Sequence, residues 1–391
     1  MPQKKSYALF SAQYPPHLGG IETFTEHLAQ ALVAQGADVT VVTNDTNGVG
    51  AGITCERGVE VIRLPCAPLI GGRFPLHVHN RVFRDLDAQI RVRRWDGVLA
   101  NARFYPHSLY GMKLARSVGV RPVLLDHGSA YLSFSNPVLD PFVRVYERGV
   151  TAWGKRRYDP AYYGISSKSV EWLKKFGIEA KGVIGNSIDA RAYRESSSVR
   201  DFRGELDLED SFVVASVGRL IPEKGIAALI EASRSLELRA RGVVFVLAGD
   251  GPMADGVRMA QGEGLRWVGR LESPDVSALL QQADVMCLPT RSEGFSTTLL
   301  EASACGCPSI VTDVGGAREL IPDESYGTIL ESASSAGVTR AIARLFDHPN
   351  AVAEQRINCG RRAEDLFSWE ATAQSLMRVW EDLAERPPKG E

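Results

Sequence analysis

Short apolar runs rich in β-branched residues alternate with amphipathic stretches from one end of this chain almost to the other. A parallel strand needs a long crossover back to the same edge of its sheet, so this alternation is the pattern of parallel strands covered by helices, an α/β fold. Strands are expected near residues 7–11, 38–43, 59–64, 97–101 and 123–126, and a second series near 212–217, 243–248, 265–268, 283–288 and 309–312. Between the first two, Phe24, Leu28, Ala31 and Leu32 recur at helical spacing before Gly36 ends the helix.

A chain of 391 residues exceeds what one hydrophobic core usually serves, and the two strand series fit two domains of roughly 200 residues each. The polar, aperiodic stretch 195–211 reads as the linker, giving domains 1–195 and 196–368. The amphipathic segment 369–383 fits against either domain. Six cysteines in a chain of this length make no disulfide framework; Cys305 and Cys307 lie too close for zinc spacing and read as small buried residues. No apolar run approaches the ~18 residues of a membrane span, and the N-terminal apolar stretch is too short for a secretion signal, so a cytoplasmic protein is expected.

The net charge of −2 hides an asymmetry: residues 1–195 carry 25 Lys and Arg against 17 Asp and Glu, and the remainder carries 20 against 30. A basic half suits nucleic acid, an anionic membrane or a phosphorylated substrate, and the absence of interleaved aromatic and basic motifs sets nucleic acid aside. The basic residues gather in 81–94, with Val82, Phe83 and Leu86, and in 144–157, near Val143, Val145 and Val150. Each stretch reads either as a solvated helix surface or as contact with an anionic membrane, the latter at the inner face of the cytoplasmic membrane.

Open α/β sheets bind ligands beyond the C-terminal ends of their strands, so the loops there carry the chemistry. After the first strand, Gly19 and Gly20 open a helix whose backbone N–H groups suit an anion, or form a plain tight turn. After strand 212–217, Gly218 and Arg219 precede Lys224 and Gly225, and two cations this close to a strand end suit a diphosphate. Gly249, Asp250 and Gly251 follow the next strand, where the glycines let backbone pass close to a ligand and Asp250 either contacts it or forms the turn. The segment 289–302 places Glu293 ahead of a helix starting near Ser296 and Glu301 about 6 Å further along, a spacing suited to a sugar and a ribose beside a diphosphate.

In order, Gly19-Gly20-x-Glu22, Gly218-Arg219 with Glu223-Lys224-Gly225, Gly249-Asp250-Gly251-Pro252, Glu293-Gly294-Phe295 through Glu301, Gly306-x-Pro308 and Gly315-Gly316 resemble the retaining glycosyltransferases of family 4. The resemblance spans most of the chain and is densest over residues 217–320. It implies the GT-B architecture: two Rossmann-like domains facing across a cleft, the nucleotide mainly on the second, the acceptor mainly on the first, and a C-terminal helix, here 369–391, returning to the first. It further implies that Arg219 and Lys224 neutralise the diphosphate, that Glu301 holds the ribose, and that Glu293 with the amides of Gly294, Phe295, Ser296 and the helix start at Thr297 holds the transferred sugar and phosphates. Gly218, Gly249 and Asp250 would line the donor site, Gly20 would add backbone donors, and His127 would lie near the transferred sugar. Asn186-Ser187-Ile188-Asp189 departs from the usual Asn-Gly-Val-Asp by a serine, which leaves the detail of that loop open.

The chemistry so implied is departure of a nucleoside diphosphate with positive charge developing at the anomeric carbon, stabilised by cations that tighten on the leaving phosphates. Same-face attack retains configuration. No metal or other cofactor is expected, since the protein cations take that role and no Asp-x-Asp signature stands where one would be needed. The expected partners are a UDP- or GDP-sugar and a hydroxyl of a glycan or lipid-linked acceptor in bacterial surface polysaccharide or glycolipid synthesis. The rival readings are a nucleotide-sugar epimerase or hydrolase on the same fold and a non-catalytic nucleotide-sugar binder.

Overall fold

The structure is a computed structural model that describes residues 4–17, 19–132 and 139–385. The chain divides into two compact units, Met1–Asn186 with Trp369–Glu391, and Ser187–Ser368.

Among the described residues the first unit carries nine strands: β1 (Ser6–Phe10), β2 (Asp38–Asn44), β3 (Gly52–Glu56), β4 (Val59–Leu64), β5 (Cys66–Leu69), β6 (Phe74–His77), β7 (Gly97–Asn101), β8 (Val123–Asp126) and β9 (Ala161–Gly164). Seven form one sheet in the order β3-β4-β2-β1-β7-β8-β9, and β5 pairs with β6 as a separate antiparallel hairpin. All neighbours in the sheet are parallel except β3 on β4. Phe10, Val42 and Ile62 pack with Phe83, Leu86 and Ile90 of the helix Arg81–Arg91. Leu9 and Val41, pointing the other way along their strands, are buried too, as are Phe24, Leu28 and Leu32 of the helix Gly20–Ala34. The last helix, Trp369–Ala384, belongs to this unit through its aromatic residues. Trp380 stacks on Tyr7 at 4.2 Å and covers Gly97, where a Cβ would come within 2.4 Å of the indole. Trp369 stacks on His27 and meets the edge of Phe24.

The second unit holds β10 (Phe212–Val217), β11 (Val243–Ala248), β12 (Leu265–Trp267), β13 (Val285–Leu288), β14 (Ser309–Thr312) and β15 (Thr328–Leu330). They make a wholly parallel sheet ordered β12-β11-β10-β13-β14-β15, with buried clusters on both faces.

Three expectations change. The division falls at Asn186 and Ser187, because the polar stretch 195–211 is folded onto the second unit. Phe202 and Leu208 enter its core, and Arg203 ties the segment down through the carbonyls of Gln282, Leu208 and Ser211 and through Asp284. Strands β3, β9 and β15 come from segments without a strong apolar run; β3 is an edge strand exposed along most of its length, so packing imposes little pattern on it. In the basic stretch 81–94, Phe83 and Leu86 are core residues rather than a surface apolar face. In the helix Leu139–Tyr158, which contains the other basic stretch, Val143 and Val150 are half-buried, and the outward apolar residues include Phe142, Val145 and Trp153. Among the described residues no helix is long and apolar enough to cross a membrane.

Candidate active site

Strand order reverses about β1 in the first sheet and about β10 in the second, and the loops on either side of such a switch point leave a crevice at the strand ends. In the second unit, the loop after β10 carries Gly218, Arg219 and Lys224, and the loop after β13 carries Glu293 through Ser296. The two are joined where the Glu223 carbonyl accepts from the Arg291 N–H (2.8 Å) and the Thr290 hydroxyl (3.1 Å).

A pocket of about 480 Å³ opens beside them, lined by Gly218, Arg219, Gly249, Asp250, Arg270 and Leu271 among others. The glycines here do different work. Gly249, at φ +146°, has its missing Cβ 1.8 Å from the Gly218 carbonyl, and Gly251 presses in the same way on the Leu220 carbonyl at 2.7 Å. Their bareness therefore brings two loops of the protein together, where a close approach to ligand was expected. Gly218, at φ +147°, has open space where a side chain would be and so leaves the pocket clear. Asp250 lines the pocket and accepts from the Gly251 N–H at 2.7 Å. The Arg219 side chain is exposed at the pocket and has no hydrogen-bond or ion-pair partner among the described residues. Arg270 and Leu271 were missed by the sequence reading; the signal was their place just after β12, the same rule that found the other loops.

Lys224 and Glu293, 69 residues apart, form an ion pair in which each side chain is less than one-fifth exposed. Ser296 caps the helix Thr297–Ala304, its hydroxyl accepting from the Leu299 N–H, while Thr297 sits exposed on the first turn. The side chain of Phe295 turns inward, against Phe367 and across Gly316. A Cβ on Gly315, at φ +54°, would lie 2.9 Å from the carbonyls of Glu293 and Gly294. The Gly315-Gly316 pair thus seats the loop that carries Glu293. One turn into the helix, burial pushes the Glu301 carboxyl up to about 7, and this acid in turn helps raise the Tyr193 phenol above its usual range after the larger effect of burial. Asp189 caps the short helix Ala190–Glu195 that brings Tyr193 there.

In the first unit, Gly19 and Gly20 open the helix Gly20–Ala34, and Gly20 faces open space. The Glu22 carboxylate folds back over this helix start, so close to Gly19 that a Cβ there would be 2.2 Å from its oxygen. His127 follows β8, and Phe24 from the same helix packs edge-on against its ring at 5.1 Å, which brings these predicted residues together. Burial holds His127 neutral, down at about 3. The Asn101 amide nitrogen is taken by the Phe10 carbonyl and the Thr25 hydroxyl, so its oxygen faces His127 and accepts from Nε2–H at 2.8 Å. That leaves Nδ1 as a hydrogen-bond acceptor, suited to a sugar hydroxyl and unsuited to donating a proton. Beneath it, Arg103 donates to both oxygens of Asp126 (2.8 Å each) and to Glu147 (3.1 Å), all three buried; Glu147 also accepts from the Leu132 N–H. Burial pushes both carboxyls up while the guanidinium pulls them down. This network was not legible in the sequence. Of the loop 129–141, residues 133–138 lie outside the described ones.

Two units with largely parallel sheets, the second with cations and carboxylates gathered at its switch point, define a GT-B glycosyltransferase acting on sugar-nucleotide donors. Family models match on both units: Glycosyltransferase Family 4 over residues 18–191 and Glycosyl transferases group 1 over residues 198–365. The chain belongs to the family 4 glycosyltransferases. It is 26% identical to glycogen synthase of Mycobacterium tuberculosis, over 95% of this chain and 93% of that protein. In fold it is similar to sucrose-phosphate synthase from Thermosynechococcus elongatus (TM-score 0.74, 21% identity, 98% of this chain and 100% of that one). It is also similar to Anabaena HepE in complex with UDP (TM-score 0.71, 19% identity, 97% and 100%).

Proposed function

We propose that the chain transfers a hexose-type sugar from a UDP- or GDP-sugar, with retention and without a metal ion, to a hydroxyl of a glycan or lipid-linked acceptor in bacterial surface polysaccharide or glycolipid synthesis, working at the inner face of the cytoplasmic membrane. The observation that carries it is the Lys224–Glu293 pair, with the exposed Arg219 on the same loop as Lys224. Lys224 and Glu293 hold each other in place at the loop ends, and a bound donor gives each a further partner, diphosphate for Lys224 and sugar hydroxyls for Glu293. As the anomeric bond breaks, negative charge grows on the leaving phosphate, and Arg219 and Lys224 stabilise it in proportion, which lowers the barrier. Glu301 accepts from the ribose hydroxyls and the amides at Gly294 to Thr297 face the phosphates. The acceptor oxygen attacks on the face the phosphate leaves, and a phosphate oxygen takes its proton, so Glu293 orients and is not a nucleophile. Nδ1 of neutral His127 accepts from a hydroxyl of the transferred sugar. A complex of HepE with UDP is compatible with a uridine donor here.

The test is to incubate the enzyme with UDP- and GDP-sugars, in chelator, with and without candidate acceptors, and to read the anomeric configuration of the product by NMR. Retained configuration and turnover that needs an acceptor are expected. Inversion would reject the mechanism, loss of activity in chelator its metal independence, and rapid turnover without acceptor would favour an epimerase or hydrolase.

A further inference from the structure

The helix Leu139–Tyr158 is inverted relative to a helix that packs on a core. Its buried side carries Glu147, Thr151, Gly154 and Tyr158, while Phe142 and Val145 stand 71% exposed and Trp153 51%. Phe142, Val145, Tyr146 and Trp153 recur at three, four or seven positions, so they form one stripe along the outward face. Tyr146 meets Phe74 of the β5–β6 hairpin at 5.7 Å. That hairpin exposes Leu69, Ile70 and Leu76 in turn, and the apolar surface continues from one element to the next. Beside the stripe, Arg144, Arg148, Lys155 and Arg156 are exposed, and the hairpin adds Arg73. A surface of this extent that exposes Phe, Val and Trp while burying Glu and Thr is costly in water and calls for a partner.

We infer that this surface docks the enzyme on an anionic lipid bilayer, with the Phe142–Trp153 stripe and the hairpin tip entering the interface and the flanking Arg and Lys residues meeting the headgroups. Aromatic residues beside cations on one helix face suit the boundary between headgroups and acyl chains, which favours a bilayer over a protein groove. The basic stretch 81–94 is not this surface, since its Phe83 and Leu86 lie in the core. The opposite side of the docking helix presents Glu147 to Arg103 and to the Leu132 N–H, so the element that meets the membrane also anchors the loop beyond His127. The inference deepens the proposed function and rests on the membrane-associated part of it.

The experiment is co-sedimentation of the full chain with phosphatidylcholine vesicles, with and without phosphatidylglycerol, at low and high salt, without donor or acceptor. Binding that requires phosphatidylglycerol and weakens with salt is expected. The Phe142→Ser/Trp153→Ser and Arg148→Glu/Arg156→Glu variants should each lower the partition coefficient about tenfold or more, read on chains shown by thermal unfolding to remain folded, since Trp153 also packs on Tyr158 and Arg148 bonds Tyr131. Absence of binding at low salt, or undiminished binding of both variants, would overturn the inference. So would a dimer seen by light scattering that Phe142→Ser/Trp153→Ser dissolves, because a second copy would then be the occupant. Sugar transfer to a soluble glycan by an enzyme that ignores vesicles would reject docking and leave the transferase reading intact; vesicle binding without transfer would do the reverse.

Discussion

Replacing Lys224 by Ala separates catalysis from folding at this site. Lys224 and Glu293 are each less than one-fifth exposed, so on the proposed mechanism deleting the ammonium removes a charge-assisted contact to the leaving diphosphate, and it also takes the ion-pair partner from a part-buried carboxylate. The first loss belongs to the transition state, and removal of one such donor typically costs about 2.7 to 4 kcal/mol, roughly a 100- to 900-fold drop in kcat. The second belongs to the folded state and amounts to about 1 to 3 kcal/mol of stability. Adding Glu293→Gln to Lys224→Ala removes the carboxylate charge left without its ammonium, so the double variant should regain thermal stability while its kcat stays low. The assay is nucleotide release at saturating donor, the donor having been found by thermal shift, where a ligand at 100 times its Kd stabilises by about 2.7 kcal/mol. A folded Lys224→Ala enzyme within about threefold of the parent kcat would refute the reasoning and shift the role to Arg219 or Arg270.

Glu301, raised to about 7 by burial, should make donor affinity depend on pH. On the proposed role of Glu301, ribose hydroxyls bind its carboxylate best, so the Kd of a sugar nucleotide, whose phosphates do not titrate here, should weaken about tenfold from pH 8 to pH 6; Glu301→Gln should flatten the profile. Cys305 and Tyr193 nearby are both held above that range. The same raised pKa stabilises the folded chain below the ordinary carboxylate range, and this contribution is lost as pH rises through about 7, so Glu301→Gln should gain stability relative to the parent above pH 7. Gly249→Ala meets both a left-handed backbone and the Gly218 carbonyl and should cost at least about 2 kcal/mol, read from urea unfolding. Trp380→Ala should cost about 3 to 5 kcal/mol in the first unit by opening a cavity over Tyr7 and Gly97; a loss confined to the second unit would contradict the placement of the last helix.

Much of this protein is written in local sequence. The alternation of apolar runs marks the central strands because buried parallel strands must be apolar on both faces, and β1, β2, β10 and β11 fall where that pattern puts them. The loops after those strands are legible for the same reason, since strand ends are where a parallel sheet presents ligand-binding groups. What the sequence alone could not decide is which side of an amphipathic helix faces inward. Phe83 and Phe142 both stand among basic residues, yet one is core and the other surface, because burial depends on what lies across the sheet. Nor does local spacing reveal that Lys224 meets Glu293, that Asn101 sets the tautomer of His127, or that Arg103 holds Asp126 and Glu147 together. Those pairings join residues 23 to 69 positions apart, and only the tertiary structure brings them within reach, because charge and hydrogen-bond energies are decided by distance and burial rather than by order along the chain.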